Sequence, residues 1–105
     1  MMSIEEKYSL AAFGTKEYSL SNLFIAYFNQ DCNGFEETLM DYIKENREEV
    51  INSVIQAIEE LLNCEDFSEG EKRNFIAEAT SYETCPEDAI EWLIEVKKFL
   101  TAHVE

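Results

Sequence analysis

The sequence predicts an all-α fold, a compact single-domain helical bundle of five to six helices, and three observations predict it. Apolar residues recur at intervals of three and four over most of the chain, the period of a helix face, and strand-like alternation is scarce. Helix-start signatures, a capping side chain followed three residues on by Glu, stand ahead of several of these runs. The composition, 46% hydrophobic and 12% aromatic with three Gly and one Pro in 105 residues, is unlike a disordered acidic tail and sufficient for one core without a metal or disulfides.

Taken in order, the segment Tyr8 to Tyr18 has two readings. Leu10, Ala11, Ala12 and Phe13 open a short helix that Gly14 ends, or they form an extended arm; the short helix is the expectation. Residues 1–18 are accordingly set apart as an N-terminal arm or short helix from a helical domain of residues 19–105. The next helix runs from Leu20 with Leu23, Phe24, Tyr27 and Phe28 on one face, Ser19 or Ser21 as N-cap, and a stop in the polar run Asn29 to Gly34. A helix from about Phe35 to Glu45 buries Leu39, Tyr42 and Ile43. Asn46 then caps a longer helix, with Glu49 completing a capping box, and Val50, Ile51, Val54, Ile55, Ile58, Leu61 and Leu62 form its broad apolar stripe. Ser68 to Glu71 is a second box, ahead of a helix that carries Phe75, Ile76 and Ala79 inward and ends near Ser81 and Tyr82. Thr84-Cys85-Pro86-Glu87 starts the last helix, which buries Ala89, Ile90, Leu93, Val96 and Leu100 and sets Lys97 and Lys98 at its negative end.

Motifs for chemistry are few. Cys32, Cys64 and Cys85 are odd in number and widely spaced, so they read as reduced thiols, and with His103 as the single histidine no zinc site is expected. Asn29-x-Asp31-x-Asn33-Gly34 matches the opening of a calcium loop, but the twelfth position, where a bidentate Glu belongs, is Met40. A helix end followed by a turn that needs Gly is the better account. No nucleophile–base pair, metalloprotease signature or phosphate-cradling Gly loop is present, so no catalytic residues, cofactor or metal are assigned and an enzyme is not expected. Met1 to Lys7 lacks the basic start and apolar stretch of a signal peptide, and no apolar run approaches the ~18 residues of a membrane span; the expected address is cytoplasmic.

Charge narrows the partner. Twenty-three Asp and Glu against eight Lys and Arg leave a net charge of −15. Phosphate binding needs cations to replace condensed counterions, so direct nucleic-acid binding is disfavoured. A basic protein is the natural partner, because so strong a field accelerates encounter with a cationic surface. On the last helix Glu87, Glu91 and Glu95 step by four along one face, Asp88 is adjacent, and Glu83 precedes the helix. Like charges at this spacing are mutually destabilising by about 0.2–0.5 kcal/mol per pair, a cost that a cationic groove would remove. A second cluster, Glu65, Asp66, Glu69 and Glu71, precedes the fourth main helix, and a third, Glu36, Glu37 and Asp41, follows Gly34. Tyr82 and Trp92 are the aromatic anchors nearest the stripe, although core packing is an equal account of Trp92. The candidate binding residues are therefore Glu83, Glu87, Asp88, Glu91, Glu95, Asp66, Glu69 and Tyr82.

Three segments carry a resemblance. Leu23-Phe24-Ile25-Ala26-Tyr27-Phe28-Asn29-Gln30-Asp31, then Ile58-Glu59-Glu60-Leu61-Leu62, then Glu91-Trp92-Leu93 with Phe99-Leu100, follow the order and approximate spacing of the CdiI-type immunity proteins of contact-dependent growth inhibition systems. The chain resembles that family over roughly residues 20–100. It departs at Cys32, where many members look to carry Trp, and at Thr80 to Cys85, where a Gly-Cys pair with tyrosines is common. The resemblance implies a small helical cytoplasmic antidote that binds a cognate CdiA C-terminal toxin domain, often a nuclease, and occludes it. The charge alone leaves a second reading open: an acidic regulatory or nucleic-acid-mimicking module that binds a basic host DNA-binding protein.

Overall fold

A computed structural model describes residues 4–8, 10–28, 34–80 and 88–104, in which every regular element is helical. The elements are α1 (Ile4–Tyr8), α2 (Lys16–Asn22), which runs on as a π-helical turn over Leu23–Tyr27, α3 (Phe35–Glu45), α4 (Glu48–Asn63), α5 (Glu69–Ala79) and α6 (Ala89–His103). The radius of gyration, 12.6 Å, is that of one compact domain of this length, for which about 13 Å is expected.

The wide apolar stripe of α4 puts that helix at the centre. Ile51, Val54, Ala57, Ile58 and Leu61 are buried, and α4 packs most extensively on α2 and next on α6. Leu20, Leu23, Phe24 and Phe28 close the core from the α2 side, Leu39 and Tyr42 from α3, Phe75 and Ile76 from α5, and Ala89, Leu93, Val96 and Leu100 from α6. Burying each large apolar side chain contributes about 1.5–3 kcal/mol, so this one contiguous cluster is what holds the bundle together.

Local chemistry sets the boundaries, and four of them differ from the expected ones. The chain 10–13 is not helical; the short helix is α1, where Ile4 and Tyr8, four apart, turn into the core and Tyr8 packs on Phe75 at 5.4 Å between ring centroids. Leu10 and Phe13 are instead 78% and 87% exposed. The second helix begins at Lys16, not Leu20: the Tyr18 backbone N–H donates to Thr15 Oγ1 at 3.2 Å, and Gly14, at φ +92°, turns the chain into that cap. Ser19 lies inside the first turn and donates its hydroxyl to the Thr15 carbonyl, and Ser21 is buried, so neither is the N-cap. The third difference is the π turn, closed by the Phe28 N–H donating to the Leu23 carbonyl at 3.2 Å, which inserts an extra residue into the face the periodicity describes.

Asn46 is the fourth. Its Nδ2 donates back to the Tyr42 carbonyl at 2.9 Å and to Tyr27 Oη at 3.3 Å, so it closes α3; α4 starts behind Arg47 with no side-chain cap. The amide had two helix ends within reach, and the tyrosines decide between them. The second box is realised in full: the Glu71 N–H donates to Ser68 Oγ and the Ser68 N–H to Glu71 Oε1, each at 3.2 Å. Gly34 begins α3 at φ +114° with nothing within 4 Å of where a Cβ would stand, so the turn demands glycine for its backbone and not for space. The remainder of the calcium-like run, Asn29 to Asn33, lies outside the described residues, as does the expected start of the last helix at Thr84 to Glu87.

Candidate functional site

Helix α6 sorts its residues by rotation. Ala89, Leu93, Val96 and Leu100 fall within one arc and are buried, which turns Asp88, Glu91 and Glu95 to the opposite arc, where all three are exposed. Neighbours on that arc, three or four residues apart, have Cβ atoms about 5–6 Å from one another. Glu95 shares its charge with Lys98 at 3.7 Å, and Lys97 reaches across to Glu59 on α4 at 3.0 Å. Asp88 and Glu91 form no ion pair among the described residues. Both stand at the positive end of α6, where the helix dipole stabilises a carboxylate without neutralising it.

Beside this arc runs an aromatic seam. Trp92 is half-buried, with ring centroids 4.9 Å from Phe28, 6.0 Å from Phe24 and 6.3 Å from Phe35. Phe35 continues the seam to Phe99, which stacks on His103 at 4.3 Å. Trp92 thus packs at the junction of the π turn, α3 and α6, as the core reading expects, and is partly exposed there.

Asp66 and Glu69 belong elsewhere. They stand on the α4–α5 connection and the first turn of α5, where Asp66 lines a shallow hollow with Lys7, Thr15 and Glu17, and Glu69 is paired with Arg73 one turn on. No hydrogen bond or ion pair among the described residues joins them to the α6 carboxylates. Cys64, half-buried, has its Sγ 3.9 Å from Asp66 Oδ2 and is a free thiol. Glu83, Glu87 and Tyr82, with Cys32 and Cys85, lie outside the described residues.

The profile of the CdiI immunity protein family matches residues 17–101, from the first turn of α2 almost to the end of α6. The chain belongs to the CdiI immunity protein family. No curated protein and no solved structure matches it. Membership in a CdiI immunity family implies a toxin-neutralising protein with a cognate toxin as partner. In the three segments that carry the likeness, Leu23, Phe24, Phe28, Ile58, Leu61, Leu93 and Leu100 are buried, while Ile25, Ala26, Glu59, Glu60 and Glu91 are exposed. No helix among the described residues is long and apolar enough to cross a membrane.

Two surface features escaped the sequence reading. One is the seam itself, since Phe35, Trp92 and Phe99 come from two helices and no spacing links them. The other is a cleft of about 400 Å³ bounded by the 13–22 segment, the end of α3 and the first turns of α4, floored by Tyr42.

Proposed function

We propose that this CdiI immunity protein neutralises a basic nuclease toxin, a ribonuclease by preference, through one-to-one occlusion by its acidic α6 face and without chemistry of its own. The observation that carries the reading is the pair Asp88 and Glu91, exposed, without an ion pair among the described residues and flanked by half-buried Trp92. A nuclease cleft is built to hold phosphates with Lys and Arg, and carboxylates spaced along a rigid helix present it with the same sign of charge. Glu95 extends this surface and Asp66 and Glu69 form a separate, secondary patch; Glu83, Glu87 and Tyr82, outside the described residues, are assigned to the interface from their sequence positions alone. The aromatic edge supplies the desolvated contact that slows dissociation, and the net charge of −15 speeds association.

The test is titration calorimetry against the cognate toxin domain, with nuclease activity followed in parallel. Stoichiometric binding that abolishes activity is expected. Replacing Asp88, Glu91 and Glu95 with their amides should cut the association rate several-fold at low salt and leave the fold intact. Unchanged association rate and salt dependence in that triple variant would move the interface off α6.

A further inference from the structure

Leu10 and Phe13 are the most exposed large apolar side chains among the described residues, at 78% and 87%, and they belong to one four-residue segment. Single apolar side chains at a surface need no account, but these two share a segment that is held in place. Residues 12–15 form a β-turn, closed by the Thr15 N–H donating to the Ala12 carbonyl at 3.2 Å and by the Thr15 hydroxyl donating to the same carbonyl at 2.8 Å. Gly14, at φ +92°, takes the third position, as a type II turn requires, and Phe13 takes the second, at the corner. Thr15 is also the N-cap of α2, so the turn is tied to that helix, and the Phe13 ring lies beside Tyr18 with centroids 5.1 Å apart. The free protein thus displays a phenylalanine on a fixed turn and buries little of it.

The charges around the turn state the chemistry of what covers it. The hollow that it borders through Ala11 and Ala12 carries the carboxylates Glu17 and Asp66 against one ammonium, Lys7, and the cleft that it borders through Phe13 adds Glu49. None of these three carboxylates has an ion pair among the described residues, while the neighbouring Lys16 is paired with Glu60. An apolar projection set among carboxylates fits an apolar pocket with a basic rim. An anionic membrane surface is repelled by the same field, and a second copy brings its own net charge of −15. Asp66 also belongs to the secondary acidic patch, which therefore adjoins the turn. The family profile begins at residue 17, so the turn lies outside the matched positions and the contact is this chain's own. We infer that the turn is an apolar anchor for the basic protein partner, with Phe13 entering a pocket on it and Glu17, Glu49 and Asp66 meeting the rim of that pocket. The inference rests on the immunity reading for the partner, the cognate toxin domain, and gives that partner a contact separate from the α6 carboxylates.

The test is surface plasmon resonance of the intact protein with the cognate toxin domain, read as separate association and dissociation rates. The double variant Leu10→Ala with Phe13→Ala should dissociate roughly tenfold faster or more and associate at nearly the parent's rate, because an apolar anchor acts after encounter. Phe13→Leu, which keeps an apolar side chain at the corner, should recover most of that loss. Both side chains are exposed and outside the core, so the melting temperature of the double variant should match the parent's. A parent that binds, with a double variant that dissociates no faster, would overturn the anchor and leave the immunity reading standing. A parent that does not bind would overturn that reading and this partner with it. Sedimentation velocity of the free protein covers the other occupant: monomers are expected for parent and variant. A concentration-dependent dimer that the double variant abolishes would assign the turn to a second copy and overturn the proposal.

Discussion

Asn46 gives the sharpest test of the structure, because two placements of its side chain predict different outcomes for one substitution. As an N-cap of α4 it would be an acceptor, and Ser, an equally good cap, would replace it at little cost. In the structure it is a donor: Nδ2 bonds the Tyr42 carbonyl at 2.9 Å and Tyr27 Oη at 3.3 Å. A serine hydroxyl is too short to span both. Taking about 1 kcal/mol for the shorter bond and about 0.5 kcal/mol for the longer, Asn46→Ser and Asn46→Ala should each cost about 1.5 kcal/mol. For a domain of this size that is a fall of roughly 6–12 °C in melting temperature, measured by far-ultraviolet circular dichroism or by the urea midpoint. A double-mutant cycle with Tyr27→Phe should return a coupling of about 0.5 kcal/mol, the share of the longer bond. If Asn46→Ser matched the parent within about 0.3 kcal/mol while Asn46→Ala did not, the donor assignment would be wrong and the capping box of α4 would be real.

Two further predictions concern stability. Tyr8 and Tyr42 are each 1% exposed, and burial raises both phenols above the ordinary 10.0, helped at Tyr8 by Cys64, Glu17 and Glu60 and at Tyr42 by Tyr27. The unfolded chain then releases these protons from about pH 10 while the folded chain keeps them, so stability is flat below pH 10 and falls above it by about 1.4 kcal/mol per pH unit for each tyrosine. Urea midpoints that stay constant from about pH 9 to pH 11 would refute this. Ser68→Ala removes one reciprocal bond of the α5 box and should cost about 1 kcal/mol, with Glu71→Ala on top of it costing less than it does alone. Additive losses in that pair would mean the two bonds do not form together.

The parts of the fold that were legible in the sequence are those where one physical cause acts alone. The stripe of α4 comes from burial on one face, and Ile51, Val54, Ile58 and Leu61 lie where the three-and-four spacing puts them. The bounds Phe35–Glu45 of α3 and the Ser68 box also hold. The sequence misleads where causes compete. The first turn of α2 is polar and lies at the surface, so apolar spacing cannot see it, although Thr15 following Gly14 is a readable start. The π turn hides because Leu23, Phe24 and Phe28 are buried with or without the extra residue. For the site, helix arithmetic puts Glu91 and Glu95 of the Glu87, Glu91, Glu95 stripe on one face, and both are exposed, as is the adjacent Asp88, while Glu87 lies outside the described residues; Glu69 with Arg73 four residues on is a pairing the sequence could have disclosed. The cleft over Tyr42 draws on three elements and has no linear signature.

The same carboxylates should give salt two opposite effects. Of the eight cations, Lys16, Arg73, Lys97 and Lys98 are paired, with Glu60, Glu69, Glu59 and Glu95 respectively, and Lys72 is buried against the Leu62 carbonyl at 3.2 Å. Local pairing therefore leaves most of the 23 acids uncompensated, and a compact domain carrying them is destabilised by self-repulsion. Raising the ionic strength from about 0.01 M to about 0.15 M shortens the screening length from about 30 Å to about 8 Å. The melting temperature of the free protein should rise as its repulsion is screened, while association with a basic toxin should slow and dissociation change little. A melting temperature indifferent to salt would show the charges already balanced within the fold. An association rate indifferent to salt would show that the partner does not read them, and the acidic face would then be a solubility device only.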